Sequence, residues 1–134
     1  MFKIHKFTLI NSRHPSLDVQ LTRERHKSEV RSLLKCKQIG VRVPTMYLCD
    51  TLTNTIVMER LEQGSTAKTI IDQHLVENNV DSLTSLAADV GVVVARMHRA
   101  GLIHGDITTS NILVNNNQLV MIDFGLSFQV KLWS

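Results

Sequence analysis

The residues best suited to chemistry lie in one stretch near the C-terminal end of the sequence. His104-Gly105-Asp106 is followed by Asn111, five residues after the aspartate, and Asp123-Phe124-Gly125 begins twelve residues after Asn111. Two short apolar runs flank a polar turn between Asn111 and Asp123, a pattern that predicts a hairpin. Such a hairpin would bring Asp106, Asn111 and Asp123 to one edge. Two carboxylates and an amide are hard oxygen donors of the kind that Mg²⁺ prefers.

These three side chains match the needs of phosphoryl transfer. The charge on nucleotide phosphates must be neutralised while a hydroxyl is oriented for in-line attack. Asp106 would accept or orient the hydroxyl proton, whereas Asn111 and Asp123 would hold a metal ion that bridges the phosphates. Gly125 is expected to supply the unusual backbone conformation that swings the Asp123 carboxylate inward. His104 is expected to organise the loop backbone through its ring nitrogens.

The composition fits one ordinary soluble domain. The 134 residues are 43% hydrophobic and 20% charged, with six Gly and two Pro, which excludes collagen, low-complexity disorder and a disulfide scaffold. Cys36 and Cys49 fit no metal-ligand spacing and are expected to stay free in a reducing compartment, the cytoplasm or the nucleus. The longest apolar stretch, 90–95, is too short to span a bilayer, and the N-terminus lacks the apolar core of a signal peptide. We therefore expect no membrane partner.

Charge is distributed unevenly along the chain. Residues 1–44 carry ten Lys and Arg against three acids, whereas residues 45–134 carry five against nine. A basic first third suits contact with phosphate or with an acidic partner. A solvated helix face is the alternative explanation. Few aromatic residues accompany the positive charge, so a base-stacking platform is poorly supported.

The sequence predicts alternating strands and helices. Residues 2–9 are expected to form a strand and residues 17–38 a helix that ends at Gly40. Asp81 is expected to cap a later long helix, which Gly101 would end. Residues 45–49 and 55–59 are expected to form a first strand pair, and residues 66–77 a short helix. Residues 112–114 and 119–122 are expected to form a second strand pair. This order predicts an α+β fold with sheets that are at least partly antiparallel.

The stretch from His104 to Gly125 is called the catalytic stretch below, because it resembles two motifs of protein kinases. Residues 104–111 resemble the catalytic loop, and residues 123–125 resemble the metal-binding motif. His-Gly-Asp-Ile-Thr-Thr-Ser-Asn-Ile-Leu and Met-Ile-Asp-Phe-Gly-Leu-Ser-Phe are similar to the small atypical kinase of the KEOPS/EKC complex, the PRPK family. Residues 13–18, 29–36 and 58–62 share this resemblance, which covers about residues 13–128.

The resemblance implies a protein-kinase-like, two-lobed fold that is incomplete at both ends. Residues 1–60 would form a partial N-lobe without its first strands and Gly-rich loop, and residues 61–134 a partial C-lobe ending soon after Asp-Phe-Gly. The implied activity is that of an ATP- and Mg²⁺-dependent Ser/Thr kinase or ATPase that supports threonylcarbamoyl modification of tRNA. The implied partners are the modification enzyme and small accessory subunits, with the basic segment 13–42 as a candidate contact for tRNA.

The resemblance also assigns roles to single residues. Asp106 becomes the catalytic acid/base, and Asn111 and Asp123 become the metal ligands. Glu29 is the helix glutamate that would pair with a phosphate-binding lysine. Lys6 is favoured for that lysine, and the alternatives are Lys3 or neither.

The adenine ring would lie against the end of the strand 55–59 and the segment that follows it. Met58 is expected behind the ring. Glu59 and Leu61 would supply backbone hydrogen bonds to it. These assignments rest on the resemblance and not on the local residue pattern.

Two positions depart from protein kinases at large and agree with the KEOPS kinases. Gly105 stands where many kinases carry an Arg that grips a phosphorylated activation loop. Thr108 stands where Ser/Thr kinases usually carry Lys. Both departures predict an activity that does not depend on a phosphate in that loop.

Two other functions stay open. Small-molecule kinases of the aminoglycoside or choline type also carry His-Gly-Asp-x-x-x-x-Asn before an acid-bearing strand, although the Phe-Gly-Leu-Ser-Phe continuation disfavours them. A catalytically impaired kinase fold that only docks a partner within a complex would explain the missing Gly-rich loop. The retained Asp106, Asn111 and Asp123 disfavour this second alternative.

Overall fold

The computed structural model describes residues 2–6 and 15–131. Its first sheet is antiparallel with the order β1-β3-β2, formed by Phe2–Lys6 (β1), Met46–Asp50 (β2) and Thr55–Glu59 (β3). The 24-residue helix α1, Pro15–Gln38, precedes β2. The helix and the hairpin confirm the predicted elements, with β2 beginning one residue later than expected. Residues 7–9 of the predicted first strand lie outside the described part.

Two further sheets and two helices follow β3. The second sheet has the order β4-β6-β7, formed by Ser65–Thr66 (β4), Ile112–Asn115 (β6) and Gln118–Met121 (β7). The third sheet pairs Leu102–Ile103 (β5) with Phe128–Gln129 (β8). The helices are α2, Ala67–Val76, and α3, Val80–Arg99. The two-residue strands were not predicted, because so short a run shows no alternation of polar and apolar residues.

The ends of α3 correct one prediction and confirm another. The N-cap of this helix is Asn79, whose side chain accepts a hydrogen bond from the Ser82 N–H at 3.1 Å. Asp81 was expected to cap the helix but lies within its first turn, where a negative charge favours the helix dipole instead. At the other end, Gly101 follows the C-cap residue with a φ of 71°, as expected for a helix that stops at glycine.

The chain reverses direction between β6 and β7 in a two-residue turn. Asn116 and Asn117 have φ values of 50° and 59°. Asn tolerates this left-handed region better than most residues, and two such residues form the turn whose twist matches a hairpin. The predicted hairpin before Asp123 is therefore confirmed.

One buried cluster connects the first sheet to the elements that follow it. Its members come from α1, β3, α2, α3 and the strands around the catalytic stretch: Leu33, Cys36, Val41, Val43, Ile56, Met58, Ala67, Met97, Leu102, Ile112, Met121 and Phe124. The division into lobes at residue 60 stays a prediction. Within the described chain, no helix is long and apolar enough to cross a membrane.

Candidate active site

His104 is fully buried and connects the catalytic loop to the end of β7. Its Nε2 lies 3.0 Å from the Ile122 carbonyl oxygen, and its Nδ1 lies 3.2 Å from the Asp106 backbone nitrogen, which donates to it. Because Nδ1 accepts, Nε2 carries the proton and donates to Ile122. The ring also packs on Phe124, with 4.5 Å between ring centroids. The predicted role of His104 as a backbone organiser is confirmed.

Asp106 and Asn111 form a hydrogen-bonded pair. The Asn111 side-chain nitrogen donates to the Asp106 carbonyl oxygen at 3.0 Å and to Asp106 Oδ2 at 3.2 Å. The Asn111 oxygen Oδ1 therefore stays available to a ligand or a metal ion. The Asn111 carbonyl accepts from the Ile122 N–H at 3.1 Å. Asp123 directly follows Ile122, so this backbone hydrogen bond brings the start of the Asp-Phe-Gly segment next to Asn111.

The unusual backbone conformation of the Asp-Phe-Gly segment falls on Asp123. Its φ is 63°, in the left-handed region that few residues other than glycine adopt. The prediction that Gly125 supplies this conformation was wrong. The reversal takes place at the aspartate because the chain turns immediately after β7. Backbone strain of this kind is concentrated at functional sites.

The structure explains why residue 105 is a glycine, which the sequence alone did not reveal. Its φ is 84°, and a Cβ placed on it would lie 2.2 Å from the Leu126 carbonyl oxygen. No side chain fits there without moving the backbone. The catalytic loop thus lies directly against the chain segment that follows Asp-Phe-Gly.

Glu29 on α1 is buried next to the same segment. The side chain is 2% exposed. Its pKa is raised to about 7, mainly by burial and to a smaller extent by the nearby charge of Asp123. The backbone N–H of Phe124 lowers this pKa by a still smaller amount. The Glu29 oxygen Oε2 has no hydrogen-bond partner among the described residues. A buried carboxylate oxygen without a partner favours a nearby cation. The structure thus places Glu29 beside Asp123, while its pairing with a lysine stays a prediction.

Both candidate lysines lie on β1, which pairs antiparallel with β3. The register sets Lys3 opposite Met58 and Lys6 opposite Thr55. They therefore lie on the strand next to the predicted adenine-binding segment. The choice of Lys6 over Lys3 stays a prediction.

The predicted adenine-binding residues lie at the end of β3 and in the linker after it. Met58 is buried in the core cluster, and Leu61 is half-buried in the linker. Glu59 is already engaged: its carboxylate binds Arg42 at 2.9 and 3.1 Å and the Thr45 N–H at 3.0 Å, and its own N–H donates to the Thr45 carbonyl at 2.8 Å. Of its backbone groups, the carbonyl oxygen is therefore the one that can serve a nucleotide.

The donor set fits a Mg²⁺ ion that also binds phosphate. The part of the chain that the structure describes contains no cluster of three His, Cys, Asp or Glu side chains that could hold a metal ion. A metal site here would use the Asp123 carboxylate and the Asn111 amide oxygen. Mg²⁺ commonly takes one or two such protein ligands and fills its other positions with water and phosphate oxygens.

The sequence analysis missed two sets of contacts around the site. Arg42 pairs with Glu59 across 17 residues of sequence, and no local pattern signals such a pair. Ser28 and Ser32 of α1, the first half-buried and the second buried, contact Ser127, which follows Asp-Phe-Gly. The signal available for these was the spacing of Ser28 and Ser32, which lie four residues apart and so on one helix face.

Together, the strand order β1-β3-β2 with α1, the catalytic loop and the Asp-Phe-Gly turn define a protein-kinase-like fold. The solved structure of Rio2 kinase from Chaetomium thermophilum, an ADP/Mg²⁺-phosphoaspartate complex, matches with a TM-score of 0.70 at 22% identity, covering 96% of this chain and 41% of that chain. This likeness confirms the predicted kinase-like α+β fold. A profile of the RIO domain matches residues 4–131, and the chain belongs to the RIO-domain family.

Curated relatives carry the names that the sequence resemblance suggested. The EKC/KEOPS complex subunit Tp53rkb of Mus musculus is 40% identical over 121 residues, which are 87% of this chain and 50% of that protein. The EKC/KEOPS complex subunit bud32 of Dictyostelium discoideum is 41% identical over 87% of this chain and 47% of that protein. A probable bifunctional tRNA threonylcarbamoyladenosine biosynthesis protein of Methanosphaera stadtmanae is 34% identical over 82% of this chain and 19% of that protein.

These relatives confirm the predicted resemblance to the KEOPS kinases. The chain spans about half the length of the two KEOPS subunits that it matches.

Proposed function

We propose that this chain binds ATP with Mg²⁺ and transfers or hydrolyses the terminal phosphate, in support of threonylcarbamoyladenosine modification of tRNA. One observation carries the proposal: the bonded pair of Asp106 and Asn111 is joined through Ile122 to the left-handed Asp123. The names of the KEOPS relatives support the tRNA-modification role. They also favour it over the small-molecule kinase alternative.

The proposed chemistry assigns one task to each group of the bonded pair. Asn111 occupies Asp106 Oδ2, so the other carboxylate oxygen of Asp106 would accept or orient the proton of the attacking hydroxyl. Asn111 Oδ1 and the Asp123 carboxylate would hold Mg²⁺. The bound ion would neutralise charge on the phosphates. A protein hydroxyl as the acceptor makes the chain a Ser/Thr kinase, and water makes it an ATPase.

The nucleotide would extend from this pair towards β3. Glu29 would orient a cationic group on the phosphates, for which Lys6 is our candidate. The adenine ring would lie in front of Met58. The Glu59 carbonyl and the Leu61 backbone would bind its edge, because the Glu59 N–H already donates to Thr45.

The proposed partners are protein subunits of a KEOPS-type complex, namely the threonylcarbamoyl-transfer enzyme and small accessory proteins. The names of the relatives, which are subunits of EKC/KEOPS complexes, support membership of such a complex. We further propose that the chain acts in the cytoplasm or the nucleus. Two free cysteines, one of them fully buried, agree with a reducing compartment.

Contact with tRNA would use an exposed basic row on α1. Arg23, Lys27 and Arg31 are four residues apart and therefore share one helix face, with Lys37 exposed near the helix end. Positive side chains in such a row attract the phosphate backbone without reading bases. This contact lies within the segment 13–42 that the charge distribution singled out.

A thermal-shift measurement tests the nucleotide site. At concentrations about 50-fold above Kd, ATP with Mg²⁺ is expected to raise the Tm of the chain by roughly 5–10 °C, because the ligand binds only the folded state. Asp123→Ala should abolish this rise, and Asp89→Ala, which removes an exposed carboxylate of α3, should keep it. Asp106→Asn should keep the rise but lower phosphate release by at least about 100-fold.

The absence of any shift for the unmodified chain at millimolar ATP would contradict the proposal. That result would favour the alternative of a kinase fold that docks a partner without catalysis. A shift that Asp123→Ala leaves intact would place the nucleotide elsewhere on the chain.

A further inference from the structure

Three serine hydroxyls connect α1 to the segment after Asp123. Ser28 Oγ donates to the Ser127 carbonyl, Ser32 Oγ lies 2.7 Å from Ser127 Oγ, and Ser127 Oγ donates to the Phe124 carbonyl at 2.5 Å. Because Ser127 has one hydroxyl proton and gives it to Phe124, Ser32 must be the donor between the two serines. Ser28, Ser32 and Ser127 are called the serine cluster below.

Two members of the serine cluster, Ser32 and Ser127, are buried, and Ser28 is half-buried, so water has little access to the hydrogen bond between Ser32 and Ser127. Ser32 is 3% exposed and Ser127 is 5% exposed. Every hydroxyl proton of the cluster has an acceptor. Removing the Ser127 hydroxyl leaves the buried Ser32 hydroxyl without its acceptor, which costs more than the bond itself contributes. The cluster therefore favours one arrangement of α1 against the segment.

Both backbone groups of Phe124 are linked to α1. Its N–H lies close enough to the Glu29 carboxylate to lower the pKa of that group. Its carbonyl accepts from the Ser127 hydroxyl, which in turn accepts from Ser32 of α1. Ser28 is adjacent to Glu29 in sequence, and Phe124 is adjacent to Asp123. The serine cluster thus joins the part of α1 that carries Glu29 to the segment that follows Asp123.

The opposite side of the segment is held by the catalytic loop. The Leu126 carbonyl lies where a side chain of Gly105 would be, and the ring of His104 packs on Phe124. Residues 124–127 are therefore fixed from two sides.

We propose that Ser127 is a positioning residue that fixes Asp123 for metal binding by bonding the segment after it to α1. The proposal rests on the proposed function, since it concerns the same metal site. It agrees with the expectation, drawn from Gly105 and Thr108, that activity does not depend on a phosphate in that loop. Without the Ser127 hydroxyl, Ser32 loses its acceptor and the Phe124 carbonyl keeps only the Ser127 N–H at 3.0 Å. Asp123 then gains freedom at a strained backbone position.

Metal-dependent nucleotide binding of the full chain tests this role. Isothermal titration with ADP in the presence and absence of Mn²⁺ is the measurement, compared for the unmodified chain, Ser127→Ala, Ser32→Ala and the exposed control Ser85→Ala. Ser127→Ala is expected to weaken Mn²⁺-ADP binding roughly tenfold, while ADP binding without metal changes less than about twofold. Ser32→Ala should weaken Mn²⁺-ADP binding about fivefold, and Ser85→Ala should have no effect.

The double variant adds a test of coupling. Because Ser32 and Ser127 share one hydrogen bond, Ser32→Ala combined with Ser127→Ala should lose less than the product of the two single effects. If Ser127→Ala fails to fold, as judged by circular dichroism, Ser32→Ala carries the test, since it removes one bond only. Unchanged Mn²⁺-ADP affinity in the folded variants would overturn the positioning role and leave the proposed function intact. An unmodified chain that binds no Mn²⁺-ADP would overturn the proposed function, and the positioning role with it.

Discussion

Glu29 is buried within reach of the charge of Asp123, which is itself exposed, and this arrangement sets the charge state of Glu29. Burial and the charge of Asp123 together raise the pKa of Glu29 to about 7. In the chain without nucleotide or metal, the folded state therefore keeps a proton on Glu29 that the unfolded state releases near its ordinary value of 4.5. Folding stability must fall as pH rises between these two values, because there the folded state binds more protons.

Replacing Glu29 with Gln isolates this effect. Glu29→Gln keeps an acceptor for the Phe124 N–H but cannot ionise. The unmodified chain and the variant should be about equally stable near pH 4.5, and at pH 8 the variant should be more stable by up to roughly 3 kcal/mol. Urea unfolding in EDTA at both pH values measures the difference. A variant that is less stable at pH 8 would show that Glu29 is ionised in the free chain, as a bound lysine would make it.

Gly105 and Gly91 form a matched pair of glycines with opposite expectations. Gly105 has a φ of 84° and no room for a Cβ, whereas a Cβ on Gly91 of α3 would meet nothing within 4 Å. Gly105→Ala should lower the free energy of unfolding by roughly 2–4 kcal/mol. Gly91→Ala should raise it by about 0.5–1 kcal/mol, because Ala favours a helix interior. Equal effects in urea unfolding would contradict the close approach of Leu126.

Among the elements, α1 contributes most to the site. One side carries Glu29 and the buried serines that contact the segment after Asp123, and another side carries the exposed basic row. The sequence analysis predicted the helix over residues 17–38, and the structure gives Pro15–Gln38. Its polar buried side was not predicted, because a buried Glu or Ser has the same residue type as an exposed one.

The N-terminus of α3 offers a test of the corrected cap. Asn79→Ala removes the acceptor for the Ser82 N–H and should lower the free energy of unfolding by about 1 kcal/mol. Asn79→Asp should restore the cap. Asp81→Asn removes only a charge from the first turn and should change stability by less than about 0.5 kcal/mol. Thermal unfolding of the three variants measures this order, and a larger loss for Asp81→Asn would restore the original assignment.

At the scale of the whole molecule, charge separates the basic first third from the acidic remainder. Neutralising two members of the basic row, with Arg23→Gln and Arg31→Gln, should weaken tRNA binding roughly 3–10-fold and reduce the slope of log K against log salt by about 1–2. The matched control removes two exposed charges elsewhere, Lys68→Gln and Arg99→Gln. Filter binding between about 50 and 200 mM salt measures both. Equal losses in the two variants, or affinity that does not depend on salt, would contradict contact through α1.

Three residues of the candidate site could be predicted from the sequence, because they lie within one short stretch of the chain. Asp106, Asn111 and Asp123 lie in a loop and at the end of a hairpin, and apolar runs and turn residues mark both in the sequence. Short-range chemistry of this kind needs no knowledge of distant residues. The family resemblance then assigned Glu29, Met58, Glu59 and Leu61, whose local patterns indicate no function.

Sequence alone determined the α+β class, the order of the principal elements and the catalytic stretch, since local periodicity and turn residues control these features. Only the tertiary structure decided which buried polar groups meet. Glu29 lies beside Asp123, Ser127 bonds to α1, and Arg42 pairs with Glu59, although long stretches of chain separate the partners. The left-handed φ of Asp123 belongs to the same group, because the packing around it holds a strained conformation that its residue type merely tolerates.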